Sequence, residues 1–175
     1  MELNNKILIA GPCAAESESQ LQTTAEQIHQ LQIPISYFRA GIWKPRSHPN
    51  DFSGAGIEAI DWLKKIKRDY NYKICVEVAR GDQVQLCIDN QIDAIWIGAR
   101  TTVNPFLVQE IADRVKDQPI DIFVKNPITP ELKTWIGAIE RIKAAGIHKI
   151  MAVHRGFSID KEQVFRNNPM WEIPI

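Results

Sequence analysis

Short, continuously apolar runs alternate with longer stretches in which apolar residues recur every three or four positions. The runs are Lys6–Ala10, Tyr37–Ala40, Lys73–Val78, Ala94–Ile97, Asp121–Val124 and Lys149–Val153. Unbroken apolarity over four to six residues predicts strands buried on both faces, the habit of parallel sheets. The periodic stretches predict helices over Ser17–Leu31, Gly56–Tyr70, Asp82–Asn90, Pro105–Val115 and Pro130–Ala145, with a weaker one near Asp160–Arg166. Pro105 and Pro130 suit a first helical turn, with Asn104 and Thr129 as N-caps, and Gly146 reads as a helix stop.

A βαβα series calls for parallel strands joined by helical crossovers. Two architectures fit, an open doubly wound sheet and a closed (β/α)8 barrel. The first strand runs into Gly11-Pro12-Cys13, which is not a dinucleotide fingerprint. Strand centres recur every ~29 residues, so an eight-unit barrel needs about 230 residues or more. The 175 residues hold six such units. The reading is therefore residues 1–175 as the N-terminal six βα units of a single (β/α)8 catalytic domain, with no separate regulatory domain.

Composition narrows the class. The chain is 45% hydrophobic and 24% charged, with 21 Lys+Arg against 21 Asp+Glu. A zero net charge argues against bulk nucleic-acid or anionic-membrane binding. The three cysteines, Cys13, Cys75 and Cys87, do not form a disulfide framework, and there is no apolar run of membrane-spanning length and no signal-peptide layout. A cytoplasmic protein is expected.

Chemistry gathers at the carboxyl ends of strands in parallel α/β folds. Here those ends carry Cys13 and Glu16; Arg39, Lys44 and Arg46; Glu77 and Arg80; Arg100; Lys125; and His154-Arg155. Loop cations are ordinarily just solvated. Five consecutive strand ends bearing them instead point to a small, multiply anionic substrate, because guanidinium forks bind carboxylate and phosphate.

The motifs Ile9-Ala10-Gly11-Pro12-Cys13 with Glu16-Ser17, Phe38 to Ser47 (FRAGIWKPRS), Ile97 to Thr102 (IGARTT), Val124-Lys125-Asn126-Pro127 and His154-Arg155-Gly156-Phe157 occur in that order. Together they resemble 3-deoxy-7-phosphoheptulonate (DAHP) synthase, in its compact type I beta form. The resemblance implies a TIM (β/α)8 barrel that condenses phosphoenolpyruvate with erythrose 4-phosphate and releases phosphate, the first step of the shikimate route to chorismate and aromatic amino acids. It also implies a divalent metal ion (Mn, Fe, Co or Zn), with Cys13 as a thiolate ligand, and a homo-oligomer, dimer or tetramer. By the same resemblance Arg39, Lys44 and Lys125 hold the phosphoenolpyruvate carboxylate, and Arg100 and Arg155 its phosphate. Glu77 and Ala99 add backbone contacts. Pro45, Arg46 and Ser47 meet erythrose 4-phosphate. Lys44, Arg100, Lys125 and Arg155 are the catalytic set.

Cys75 and Cys87 read as structural, His29 and His148 as surface or packing residues, and Trp43 as packing beneath its loop. His48 and His154 match no catalytic position. The family's His, Glu and Asp metal ligands belong to the seventh and eighth strands, so the 175 residues alone are expected to be inactive. Two alternatives stand beside this reading. One is a sister enzyme such as 3-deoxy-manno-octulosonate 8-phosphate synthase, against which Lys44-Pro45-Arg46-Ser47 argues. The other is a non-catalytic phosphoenolpyruvate-binding module.

Overall fold

A computed structural model of the chain describes residues 6–46, 48–158 and 167–175. Among the described residues six strands are joined by helices, two of them in succession between the fourth and fifth strands, the topology of a partial (β/α)8 barrel. The chain divides into two compact units, one reaching to Glu77 with Asn90–Asp93, the other comprising Val78–Asp89 and Ala94–Ile175.

In the first unit β1 (Ile9–Ala10), β2 (Tyr37–Ala40) and β3 (Ile74–Val78) pair in parallel and in chain order. Helix α1 (Glu18–Gln30) starts where Ser17 Oγ accepts the Gln20 amide at 3.1 Å. It buries Leu21, Ala25 and Ile28, one stripe at four- and three-residue spacing. Helix α2 (Glu58–Tyr70) buries Ala59, Ile60, Leu63 and Ile66 and ends on Asn71, whose φ of 56° is the left-handed stop an asparagine tolerates. Asp93 ties this unit together, accepting the Ile74 amide at 2.8 Å and Lys67 Nζ at 2.9 Å.

The second unit holds α3 (Gly81–Asp89), β4 (Ala94–Ile97), the one-turn α4 (Ala99–Thr102), α5 (Pro105–Val115), β5 (Asp121–Lys125), α6 (Leu132–Ala144) and β6 (Ile150–Val153). Strands β4, β5 and β6 pair in parallel, with Trp96 opposite Phe123 and Lys125 opposite Val153. The buried Trp135 indole donates to Val124 O at 3.0 Å, fastening α6 to the sheet.

The elements follow the apolar pattern with five differences. Only Ile9–Ala10 of the first run is strand. Strands β1 and β6 are half-buried rather than buried on both faces, since each has a strand neighbour on one side only among the described residues. Helix α4 was not expected; Gly98 O receives the Thr101 and Thr102 amides and winds one turn directly off β4. Helix α6 begins at Leu132, not Pro130, because the Glu131 amide closes a tight turn onto Thr129 O at 2.8 Å. Thr129 is therefore no N-cap; Glu131 holds that place without a side-chain bond to a helix amide. Asn104 does cap α5, accepting the Phe106 and Leu107 amides, and Gly146 (φ 82°) does stop α6. The weak helix near Asp160–Arg166 lies outside the described residues. No helix among the described residues is long and apolar enough to cross a membrane.

The two caps make a paired test. Asn104→Ala should cost about 1 kcal/mol in urea unfolding, whereas Thr129→Ala should stay within ~0.5 kcal/mol. Equal losses would contradict the α6 start described here.

Candidate active site

In the first unit the functional residues converge on the end of β1. Gly11 leaves β1 with φ 137°, and a Cβ there would lie 2.1 Å from Arg39 O, so only glycine lets the chain turn so close to β2. This brings the Cys13 carbonyl to two cations. Arg39 Nη2 donates to Cys13 O at 3.3 Å and Lys44 Nζ at 3.0 Å, and the same ammonium lies 3.6 Å from Cys13 Sγ. Gly41 is a second place where a side chain does not fit. A Cβ there would meet Cys13 O at 2.4 Å and Lys44 Nζ at 2.9 Å, closing the space through which Lys44 folds back.

Glu77, expected to act through its backbone, brings its carboxylate to this point as well, with Oε2 3.5 Å from Lys44 Nζ. The Lys44 and Glu77 side chains are only 9% and 13% exposed, so the pair is shielded from water far more than a surface ion pair. Cys13 is exposed. Partial burial pushes its thiol pKa up, but Lys44 and Arg39 outweigh that and leave it below the ordinary thiol value. Cys75 and Cys87 are buried, and burial pushes Cys87 up to about 12. Their structural reading agrees with this placement.

Among the described residues, those expected to meet erythrose 4-phosphate are not brought into this cluster. Arg46 Nε donates to Phe52 O at 2.9 Å within its own loop, Pro45 is exposed, and Ser47 lies outside the described residues.

In the second unit three cations leave the carboxyl ends of neighbouring strands. Arg100 is exposed on α4, Lys125 ends β5 and Arg155 follows β6. Trp96 and Phe123 are register partners and Lys125 is two residues beyond Phe123, so Lys125 and Trp96 share a face. Lys125 Nζ lies 4.9 Å from the Trp96 ring centroid, a cation–π contact against an indole that is 3% exposed. Thr102 Oγ1 is 2.9 Å from Lys125 O and 3.0 Å from Gly98 O, and its single proton is shared between them. It ties α4, and with it Ala99 and Arg100, to the end of β5. Arg155 Nη2 donates to Asn167 Oδ1 at 2.6 Å and Nη1 to Gly156 O at 3.3 Å.

The remaining histidines lie outside these clusters. His29 meets Tyr70 in a tilted ring contact, His48 and His148 are exposed, and His154 packs among Trp135, Phe157 and Trp171 with Nε2 against Pro169 O. A hollow of about 550 Å³ between α5 and α6, lined by Gln109, Lys116, Glu140 and Arg141 among others, holds none of the strand-end residues.

Gly41, Trp96, Thr102 and Asn126 are the residues that sequence reasoning passed over. Gly41, Thr102 and Asn126 sit inside recognised motifs, and an asparagine directly after an apolar strand is a signal worth weighing. Trp96 looked like one more apolar strand residue.

The exposed, thiolate-prone Cys13 suits one donor position of a transition-metal site. No group of three or more His, Cys, Asp or Glu side chains converges among the described residues. They do not build a complete site, and no step below runs through a metal.

The chain matches the DAHP synthetase I family over residues 3–174. A phospho-2-dehydro-3-deoxyheptonate aldolase of Thermotoga maritima is 27% identical over 149 residues, 85% of this chain and 42% of that protein. A 2-dehydro-3-deoxyphosphooctonate aldolase of Legionella pneumophila is 29% identical over 157 residues, 86% of this chain and 55% of the relative. The crystal structure of the phospho-2-dehydro-3-deoxyheptonate aldolase (DAHP synthase) from Thermotoga maritima superimposes with a TM-score of 0.81 at 24% identity, covering 99% of this chain and 50% of that one. This chain, with its (β/α) series and strand-end cations, belongs to the DAHP synthetase I family. It spans about half the length of the relatives it matches.

The lowered thiol pKa gives a test with a definite sign. Alkylation by iodoacetamide at Cys13 should run at a lower pH than an ordinary thiol. Lys44→Ala should move its midpoint upward. An unmoved midpoint would contradict the assigned role of Lys44. Gly41→Ala should produce the same upward movement by displacing Lys44.

Proposed function

We propose that the protein of which this chain is part condenses phosphoenolpyruvate with erythrose 4-phosphate to give 3-deoxy-D-arabino-heptulosonate 7-phosphate and inorganic phosphate. The observation that carries this reading is the run of fixed cations on successive strand ends in a member of this family. Arg39, Lys44 and Lys125 hold the carboxylate of phosphoenolpyruvate. Arg100 and Arg155 hold its phosphate, and the backbone at Glu77 and Ala99 adds contacts. Pro45, Arg46 and Ser47 receive erythrose 4-phosphate. Cys13 serves as a donor to a divalent ion (Mn, Fe, Co or Zn). A cytoplasmic homo-oligomer, dimer or tetramer, with residues 1–175 inside one catalytic domain, completes the reading.

Carbon 3 of the enol phosphate attacks the aldehyde carbon, and the aldehyde oxygen takes up a proton. Water adds at carbon 2, which has become electron-poor. The resulting hemiketal phosphate collapses to a ketone by C–O cleavage, and inorganic phosphate leaves. Lys44, Arg100, Lys125 and Arg155 orient the enol phosphate and stabilise its charge as carbon 2 changes hybridisation. Lys44, Lys125 and Arg155 are held in place by their own contacts, which spares reorganisation during the reaction. Glu77 places its carboxylate 3.5 Å from the Lys44 ammonium in a place shielded from water.

The octulosonate-named relatives support a second reading, in which arabinose 5-phosphate replaces erythrose 4-phosphate. The intact gene product, supplied with phosphoenolpyruvate and either sugar, distinguishes the two by phosphate release. Turnover with erythrose 4-phosphate at least a hundredfold above that with arabinose 5-phosphate is expected. The reverse preference would transfer the assignment to the second reading, and phosphoenolpyruvate binding without turnover would leave a binding module.

A further inference from the structure

Asn126 is fully buried, and none of the roles above uses its side chain. It stands directly after β5, between Lys125 and Pro127. Its Oδ1 accepts the Arg155 amide at 2.6 Å. Its two amide protons go to Gly156 O at 2.9 Å and Pro127 O at 2.8 Å. Both ends of the side chain thus grip the Arg155–Gly156 backbone, which lies on a separate loop. A buried amide bonded at every proton is rigid, because each bond given up leaves an unpaired group in a dry place.

The loop it holds has few other freedoms. Gly156 has φ 76°, and a Cβ there would lie 2.8 Å from Asn168 O. Phe157 and Asn168 exchange two backbone bonds, at 2.7 and 2.8 Å. The same return segment brings Asn167 Oδ1 to the Arg155 guanidinium. The arginine is therefore set at its root by Asn126 and at its tip by Asn167.

We infer that Asn126 and Asn167 are positioning residues that aim the Arg155 guanidinium at the substrate phosphate. The inference rests on the proposed role of Arg155 in binding that phosphate. Lys125, the residue before Asn126, and Arg155 then form one mechanical unit. The β5 end carries the first cation and, one residue later, the fastener for the second.

The test uses the intact gene product and phosphoenolpyruvate as titrant, with melting temperature as the control for folding. Arg155→Ala should weaken phosphoenolpyruvate binding at least tenfold. Asn126→Ser and Asn126→Asp should each weaken it at least fivefold while leaving KM for erythrose 4-phosphate within twofold. Added to Arg155→Ala, Asn126→Ser should change affinity less than twofold further. Asn167→Ala, remote from the β5 core, tests the tip contact in a variant that keeps the buried amide. Its expected effect is a three- to tenfold loss, again absent on the Arg155→Ala background. Asn126 variants that melt earlier but bind phosphoenolpyruvate as the wild type does would overturn the inference and leave a structural role. So would equal losses with and without Arg155. If Arg155→Ala itself binds normally, the role proposed for Arg155 fails, and this inference falls with it for that separate reason.

Discussion

Cations at the ends of parallel strands must be aimed without being cancelled, and that constraint shapes both units. Lys44 and Arg39 donate to one peptide carbonyl, Lys125 rests on an indole face, and Arg155 donates to an amide oxygen. Contacts to neutral acceptors and to an aromatic face fix direction without themselves neutralising the charge. Glu77 brings a carboxylate to 3.5 Å from Lys44, where shielding from water makes a compensating charge worth having. Glycine does the complementary work of letting backbones approach. Gly11 brings β1 against β2, and Gly41 leaves room for the Lys44 side chain.

The second unit shows how sheet register becomes site geometry. Because Trp96 is opposite Phe123, and Lys125 is two residues further along the same face, the indole supports the ammonium with no extra loop. Thr102 then carries the end of β5 to the single turn bearing Arg100, and Asn126 carries it to the loop bearing Arg155. Three cations on three strands are linked by hydrogen bonds to one strand end. A disturbance at Lys125 or Asn126 is expected to reach all of them, which makes their energetics non-additive.

Much of this was legible in the sequence, for identifiable reasons. Continuous apolar runs mark all six strands, of which β2 to β5 are largely buried, and Asn104 and Gly146 declare their helix ends through local chemistry. The family motifs named the strand-end cations. What the residues did not disclose depends on where carbonyls point. Thr129 has the right side chain for a cap, but a turn closing on its own carbonyl delays the helix to Leu132. The carboxylate of Glu77 and the indole of Trp96 acquire partners only through register, and Asn126 only through a loop some thirty residues away. Single-residue propensities carry no information about such distant acceptors.

The proposed reading requires that Lys44 and Arg100 each contribute to phosphoenolpyruvate binding in the protein of which this chain is part. Calorimetric titration of the intact protein with phosphoenolpyruvate, comparing wild type with Lys44→Ala and Arg100→Ala, tests it most directly. One ligand per chain, with affinity falling at least tenfold in each variant, is the predicted result. Two independent ligands per chain, or a loss confined to one variant, would contradict it.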